Sequence, residues 1–255
     1  MNRSGILGLS IGVAAVILGI IIEGGRVSFI LQPAAAVIVF GGTFGATLLS
    51  FSAREIIDAT ASLKGVFFGK GEQPVGELVE ELVSYSSISR KKGLISLEPF
   101  IEGIQQSFLK RMLGLAVDGM PPALLKEVME EEITTDEEVN LRHAQVFETA
   151  GAVSPTIGII GAVIGLIHVM QNLSEPSRLG QGIAVAFVAT LYGVGAANLV
   201  LLPIAKKIRN SLYRKTQLNR IISEGIMGIQ AGMHPHYLKE RLLSMAEIKG
   251  KDNAA

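Results

Sequence analysis

Cysteine and tryptophan are missing from the 255 residues. The first absence excludes disulfides and thiolate metal sites without reporting the compartment. The second leaves Tyr and Phe to build any aromatic belt at a membrane surface. Charge is scarce too: Asp, Glu, Lys and Arg together make 18% of the chain, against about a quarter in an ordinary soluble domain. Acids and bases balance at 23 each, so no basic field argues for nucleic acid. Chemical motifs are equally sparse. There is no Gly-rich phosphate loop with a Lys, no paired-His metal motif and no nucleophile elbow. These gaps argue against an enzyme.

The apolar residues, 49% of the chain with mean hydropathy +0.43, are clustered. Gly5–Ile22, Leu31–Phe51, Ala152–Leu173 and Gln181–Ile204 contain no Asp, Glu, Lys or Arg. About 20 helical residues cross a hydrocarbon core of about 30 Å. Each run therefore predicts a transmembrane helix, because only internally bonded backbone is tolerated in lipid. The first run is longer than a signal-peptide core and has no clear cleavage site after it, so it is kept as a span. The fold class is an all-α integral membrane protein with four spans and a helical cytoplasmic domain. The expected division is residues 1–51 for spans one and two, 52–150 for the cytoplasmic helical domain, 151–204 for spans three and four, and 205–255 for C-terminal helices.

Orientation follows from positive charge at the helix ends. Arg54 and Lys64 follow the second run, and Lys206, Lys207, Arg209, Arg214 and Lys215 follow the fourth. Both termini and the long middle segment are thereby expected in the cytoplasm. The short outer loops each carry one acid and one base, Glu23 with Arg26 and Glu175 with Arg178. Within the middle segment helices are predicted over Val75–Ser87, Leu97–Leu115 and from Pro121-Pro122 to Glu132. A further helix, capped at Thr135 with Glu138 closing a capping box, would run through His143 and Phe147 into span three. The tail predicts a long helix over Ala205–Gly232, a break before His234-Pro235, a short helix to Ile248 and a frayed end, Lys249–Ala255.

Candidate functional residues are few. No span holds a carboxylate, the group that most often titrates along a proton path. The one His there is His168, which stays open between the ion path and a polar packing role. Either the chain moves no ions or another chain supplies the acid. Thr190 lies in mid-span, with its hydroxyl either bonded back to the carbonyl of Ala186 or facing a pore. Thr43 and Thr47 read as packing groups. Ser154-Pro155 reads locally as an N-cap followed by N1 proline, and Pro203 as a kink at the membrane exit; a hinge formed by the two prolines is the other reading. Glycine pairs four apart, Gly8 with Gly12, Gly41 with Gly45 and Gly161 with Gly165, predict close helix approach. Arg90-Lys91-Lys92 ahead of Glu98 is either a solvated turn or a charged docking surface.

Three segments carry a resemblance. They are Asp118-Gly119-Met120-Pro121 through Met129-Glu130-Glu131-Glu132-Ile133, Ser154-Pro155-Thr156 through Ile167, and Ala189-Thr190-Leu191-Tyr192-Gly193. With the order of spans, they resemble the MotA/PomA stator subunits of the bacterial flagellar motor, within the MotA/TolQ/ExbB proton-channel group. The resemblance implies that Arg90 and Glu98 work against the rotor's switch protein and that Pro155 and Pro203 move during ion flow. It places Thr190 beside an essential Asp brought by a MotB-like, single-span, peptidoglycan-binding partner. It also implies a homo-oligomeric ring, a pentamer, in the inner membrane. Sodium-driven members resemble Ile-Gly-Thr where this chain has Ala162, so a proton is the implied coupling ion, with no cofactor and no metal. An ExbB/TolQ-like subunit is the nearest rival, but such chains have one span rather than two before the large polar segment. A self-sufficient transporter would need an intramembrane site of its own. In a pure scaffold, Thr190 and both prolines would be replaceable.

Overall fold

The computed structural model describes residues 3–25, 27–68, 73–171, 173 and 176–252. Arg26, Glu175 and the last three residues of the expected frayed end lie outside the described residues, as does the side chain of Arg178. The described chain is helical, with no strand among the described residues. In order it forms α1 (Arg3–Ile22), α2 (Pro33–Ser50), α3 (Ala53–Phe68), α4 (Val75–Lys92), α5 (Ser107–Val117), α6 (Pro122–Gln171), α7 (Pro176–Gly195), α8 (Leu202–Gln230) and α9 (Pro235–Asp252). Short helical turns at Leu94–Leu97 and Glu98–Ile101 join α4 to α5.

Two compact units share these helices. The first comprises residues 1–70 and 140–211 and contains all four apolar runs. Three stretches are long and apolar enough to cross a membrane by length and composition: Pro33–Ser50, part of Pro122–Gln171 and part of Leu179–Gln230. The other, α1, has 20 residues, a length of about 30 Å at 1.5 Å per residue. Its large side chains face outward, among them Leu7, Ile11, Leu18 and Ile22. In water such a helix would be untenable, whereas a bilayer is the solvent it needs. Below the spans, Ala59, Ala144, Phe147, Ala205 and Ile208 form a small core.

The second unit, residues 71–139 and 212–255, has a larger core of Leu78, Leu82, Leu109, Met112, Met129 and Ile222 with their neighbours. Gly93 breaks the chain after α4 at φ +83, as Lys92-Gly93 suggests from sequence. The expected helix over Leu97–Leu115 is in fact interrupted. The segment around Gly103 leaves helical geometry, and the Gln106 side chain restarts it by accepting from the Leu109 N–H.

Two sequence expectations need larger correction. The helix opened by Pro122 does not stop at Glu132, and Thr135 caps nothing: α6 continues for 50 residues. No Gly or Pro intervenes between Pro122 and Gly151, and Thr134 turns its hydroxyl back to the Glu130 carbonyl at 2.9 Å. Consequently Ser154 is not an N-cap and Pro155 is not a first-turn proline; both lie inside the helix.

Candidate functional site: the seam between spans three and four

The third and fourth spans meet backbone to backbone. A Cβ added to Gly193 would lie 2.6 Å from the Ser154 carbonyl oxygen, 3.0 Å from Gly158 Cα and 3.2 Å from Pro155 Cα. One added to Gly158 would reach 2.9 Å from the Ala189 carbonyl oxygen and 3.4 Å from Thr190 Cα. Gly165 meets Ala186 and Gly182 in the same way, while Gly161 packs on the Ala189 methyl. Small residues are what allow helices to approach this closely in lipid. The seam thus brings together Pro155 and Thr190 through Gly193 and Gly158. Ala162 is half-buried on α6, four residues beyond Gly158 and so one turn along the same face.

Thr190 is half-buried and donates to the Ala186 carbonyl at 3.3 Å, the local bond the sequence allows. That is near the long limit for such a bond and leaves the hydroxyl weakly held. His168 is exposed. Pro203 does not join the seam; it is exposed, just after a wide turn of π geometry over Ala196–Leu201. There the Leu202 N–H reaches back five residues to Ala197. A proline ring collides with the carbonyl four residues earlier, and the extra residue in the preceding turn relieves that collision. At the place of the expected kink the helix is locally widened.

Span two closes the seam on one side, and it also contains a π-turn, Val37–Gly41. Ala35, Val39, Thr43 and Thr47 are all buried at a strict spacing of four. In a uniform α-helix that stripe would drift about 40° per step; the wider turn absorbs the drift. The expected pair Gly41 and Gly45 meets nothing within 4 Å in this chain, and Gly42 makes the approach instead, its Cβ position lying 2.8 Å from Ile157 Cγ2.

Several residues that hold the site read from the sequence only as a cap, a packing group or part of a motif, or are not singled out by it. Ser154 is fully buried, and its Oγ has no hydrogen-bond partner among the described residues; neither has Thr43 Oγ1. Both line a cavity of about 300 Å³ with Phe40, Thr47, Phe147 and Ala196. Unpaired buried hydroxyls are costly, and this pair shares its cavity with Ala196, Val200 and Leu201 of the π-turn in span four. Tyr192 stacks on Phe40 at 5.6 Å between centroids and donates to the Ile30 carbonyl, pinning the entry of span two to span four. Beyond the apolar stretches, Arg209 grips Glu148 with both its Nε and a terminal nitrogen, at 2.5 and 2.7 Å. That hydrogen bond raises the already high Arg209 pKa. Ser52 caps α3 and Glu55 reaches back to the Ser52 N–H at 2.8 Å, a capping box that holds the Glu55 carboxyl below the usual range.

Arg90 and Glu98 belong to the second unit. Both are exposed, on either side of the Gly93 turn, and neither is ion-paired among the described residues. Ile95, 71% exposed, and Phe100 stand on the same short connection. Phe100 is held by the Tyr85 ring, at 6.3 Å. Burial, and then the 2.7 Å bond to Glu81, pushes the Tyr85 phenol pKa up, so it stays a neutral prop. The arrangement is a charged rim with an apolar centre, a composition suited to docking.

Comparison with known proteins agrees over the whole length. Residues 6–92 match the Motility protein A N-terminal family, and residues 100–221 the MotA/TolQ/ExbB proton channel family. Motility protein A of Helicobacter pylori is 32% identical over 244 residues, which is 96% of this chain and 95% of that protein. Motility protein A of Bacillus subtilis is 29% identical over 251 residues, 98% of this chain and 93% of that one. The solved flagellar MotAB stator complex from Bacillus subtilis superposes with a TM-score of 0.90 at 29% identity, covering 100% of both chains.

Proposed function

The chain belongs to the MotA/TolQ/ExbB proton channel family, in its motility-protein-A branch, and from that premise we propose that it is a flagellar stator subunit that turns ion flow into torque on the rotor. Its place is among stator channel subunits rather than enzymes. One observation carries the mechanism: none of the four apolar runs holds a carboxylate. The titrating acid therefore comes from a MotB-like partner, whose single helix brings an Asp to the Thr190 side of the seam. Charged, that Asp is costly to hold against apolar helix walls; protonated, it is neutral and can change its contacts. Alternation between the two states drives the conformational step. Pro155, without an N–H, and Pro203, beside a widened turn, are the places in the two helices where backbone bonding is already relaxed.

A homo-oligomeric ring, with five copies as its size, surrounds the partner helices. Support comes from α6, whose Ile159, Ile160, Val163 and Ile164 remain exposed in the single chain although the helix carries the seam. The ring lies in the bacterial inner membrane with both termini in the cytoplasm, as the basic residues after spans two and four favour. Arg90 and Glu98 then face the rotor's switch protein.

The coupling ion is the proton. A dehydrated sodium ion needs several oxygen ligands, and Ala162 offers a methyl. Swimming speed is expected to track the proton motive force and to be indifferent to sodium; a sodium requirement would overturn the assignment. The rotor contact has its own test. Arg90→Glu is expected to remove most of the torque in tethered-cell measurements while leaving ion leak through the complex unchanged. An unaffected Arg90→Glu motor would reduce the charged turn to a solvated surface.

A further inference from the structure

A cleft of about 350 Å³ lies between α1 and the end of span four, separate from the seam. Its walls are apolar: Leu9, Leu199, Val200 and Ile204 among them. Its floor on the α1 side is Gly8 and Gly12. A Cβ on Gly8 would meet nothing within 4 Å, so the groove is open there, and one on Gly12 would only touch Leu199 Cδ2 at 3.4 Å. From Asn198 to Lys207 the wall runs nine residues, about 13 Å along a helix. The Asn198 amide is satisfied by the Val194 carbonyl at 3.0 Å. Lys207 is the one charged group among the described lining residues. Its Nζ lies 5.2 Å from the centre of the Phe67 ring, and no carboxylate pairs with it among the described residues.

This combination specifies an occupant. An apolar slot along a membrane helix suits an acyl chain, and an ammonium with no carboxylate partner among the described residues, where the fourth span gives way to basic sequence, suits a lipid phosphate. Basic residues beside grooves between membrane helices recognise anionic head groups. We propose that this cleft is a binding site for an anionic phospholipid, whose phosphate pairs with Lys207 and whose chain lies over Gly8 and Gly12. The lipid would brace the outermost and least buried span, α1, against span four without entering the ion path. The inference rests on membrane insertion and not on the stator reading.

The test uses the full-length chain in its membrane complex, purified from vesicles of phosphatidylcholine with a minor fraction of phosphatidylglycerol, with retained lipid identified by mass spectrometry. The wild type is expected to retain phosphatidylglycerol beyond its share of the vesicle. Lys207→Ala should weaken that retention about fivefold, the worth of one basic residue at an anionic surface, and Lys207→Arg should preserve it. Gly8→Leu, whose Cβ would meet nothing within 4 Å, puts a side chain into the groove and should displace the lipid while leaving the complex assembled. Equal phosphatidylglycerol retention in wild type, Lys207→Ala and Gly8→Leu overturns the site. So does a photo-crosslinker at Leu9 that captures a second protein chain instead of lipid. Neither failure touches the motor assignment, which swimming assays read separately.

Discussion

Gly193→Val is expected to collapse the packing of spans three and four, whereas Gly195→Ala two residues away should be neutral or slightly stabilising. The difference lies in what each new atom meets. At Gly193 the neighbours are the Ser154 carbonyl oxygen at 2.6 Å and the Cα atoms of Gly158 and Pro155. All three are backbone atoms of a helix and cannot rotate aside. Relief requires the two helices to part, and that would pull Gly158 and Gly165 off their contacts as well. Ordinary overpacking costs about 1–3 kcal/mol; a backbone clash at the centre of the seam should reach at least the top of that range. At Gly195 an added methyl meets nothing within 4 Å, and Ala is the better helix former. Thermal unfolding of the two purified variants, with membrane abundance alongside, gives the comparison. A Gly193→Val protein as stable as the wild type would show that the seam is not the rigid element described.

The membrane spans were legible because lipid imposes a simple rule, an uncharged helical run of sufficient length, and all four runs obey it. Helix limits in the polar segments were less so. The pattern Ser/Thr-x-x-Glu occurs at Ser52-Ala53-Arg54-Glu55 and at Thr135-Asp136-Glu137-Glu138. Only the first is a cap. Phe51 before it is extended, at φ −135 and ψ 150, so Ser52 stands at a true start with free N–H groups ahead. Thr135 has three helical turns before it, and its neighbours' N–H groups are already used. Ser154-Pro155 fails for the same reason. A proline inside a long helix is locally indistinguishable from one that opens it, and packing of its backbone against Gly193 is a contact some 38 residues away in sequence, beyond any local pattern.

The site was legible to the same degree. Thr190 and its bond to Ala186 follow from helical spacing alone. The buried hydroxyls of Ser154 and Thr43, without a partner among the described residues, do not, since their proximity depends on which face of span two turns inward. That face is set by the π-turn at Val37–Gly41, for which the sequence has no proline or other marker inside the turn. The same turn moves the helix contact from the expected Gly41 to Gly42. Tyr192 was visible as part of the Ala-Thr-Leu-Tyr-Gly segment, but its partner, the Ile30 carbonyl, is 162 positions earlier.

Replacing Thr190 by Val should abolish swimming and leave the protein folded. The hydroxyl gives the fold little: a single 3.3 Å bond to a helical carbonyl that is already engaged, with a net worth of about 0.5–1.5 kcal/mol at most. Val fills the same volume and suits a span, so insertion and melting temperature should hold. What it removes is the polar atom of the seam next to which the partner's Asp is proposed to protonate and release. Without it the acid loses the Thr190 hydroxyl as a donor to its charged form. Thr190→Ser, which keeps the oxygen and loses only a methyl, should swim. Three measurements separate the outcomes: swimming speed, proton flux through the reconstituted complex, and thermal unfolding. Normal swimming with Val at 190 would remove the hydroxyl from the ion route and make Thr190 a packing residue. Loss of swimming together with loss of folding would place its role in the helix pair itself. Only motility and flux lost together, with stability intact and Ser restoring both, assigns the threonine to ion coupling.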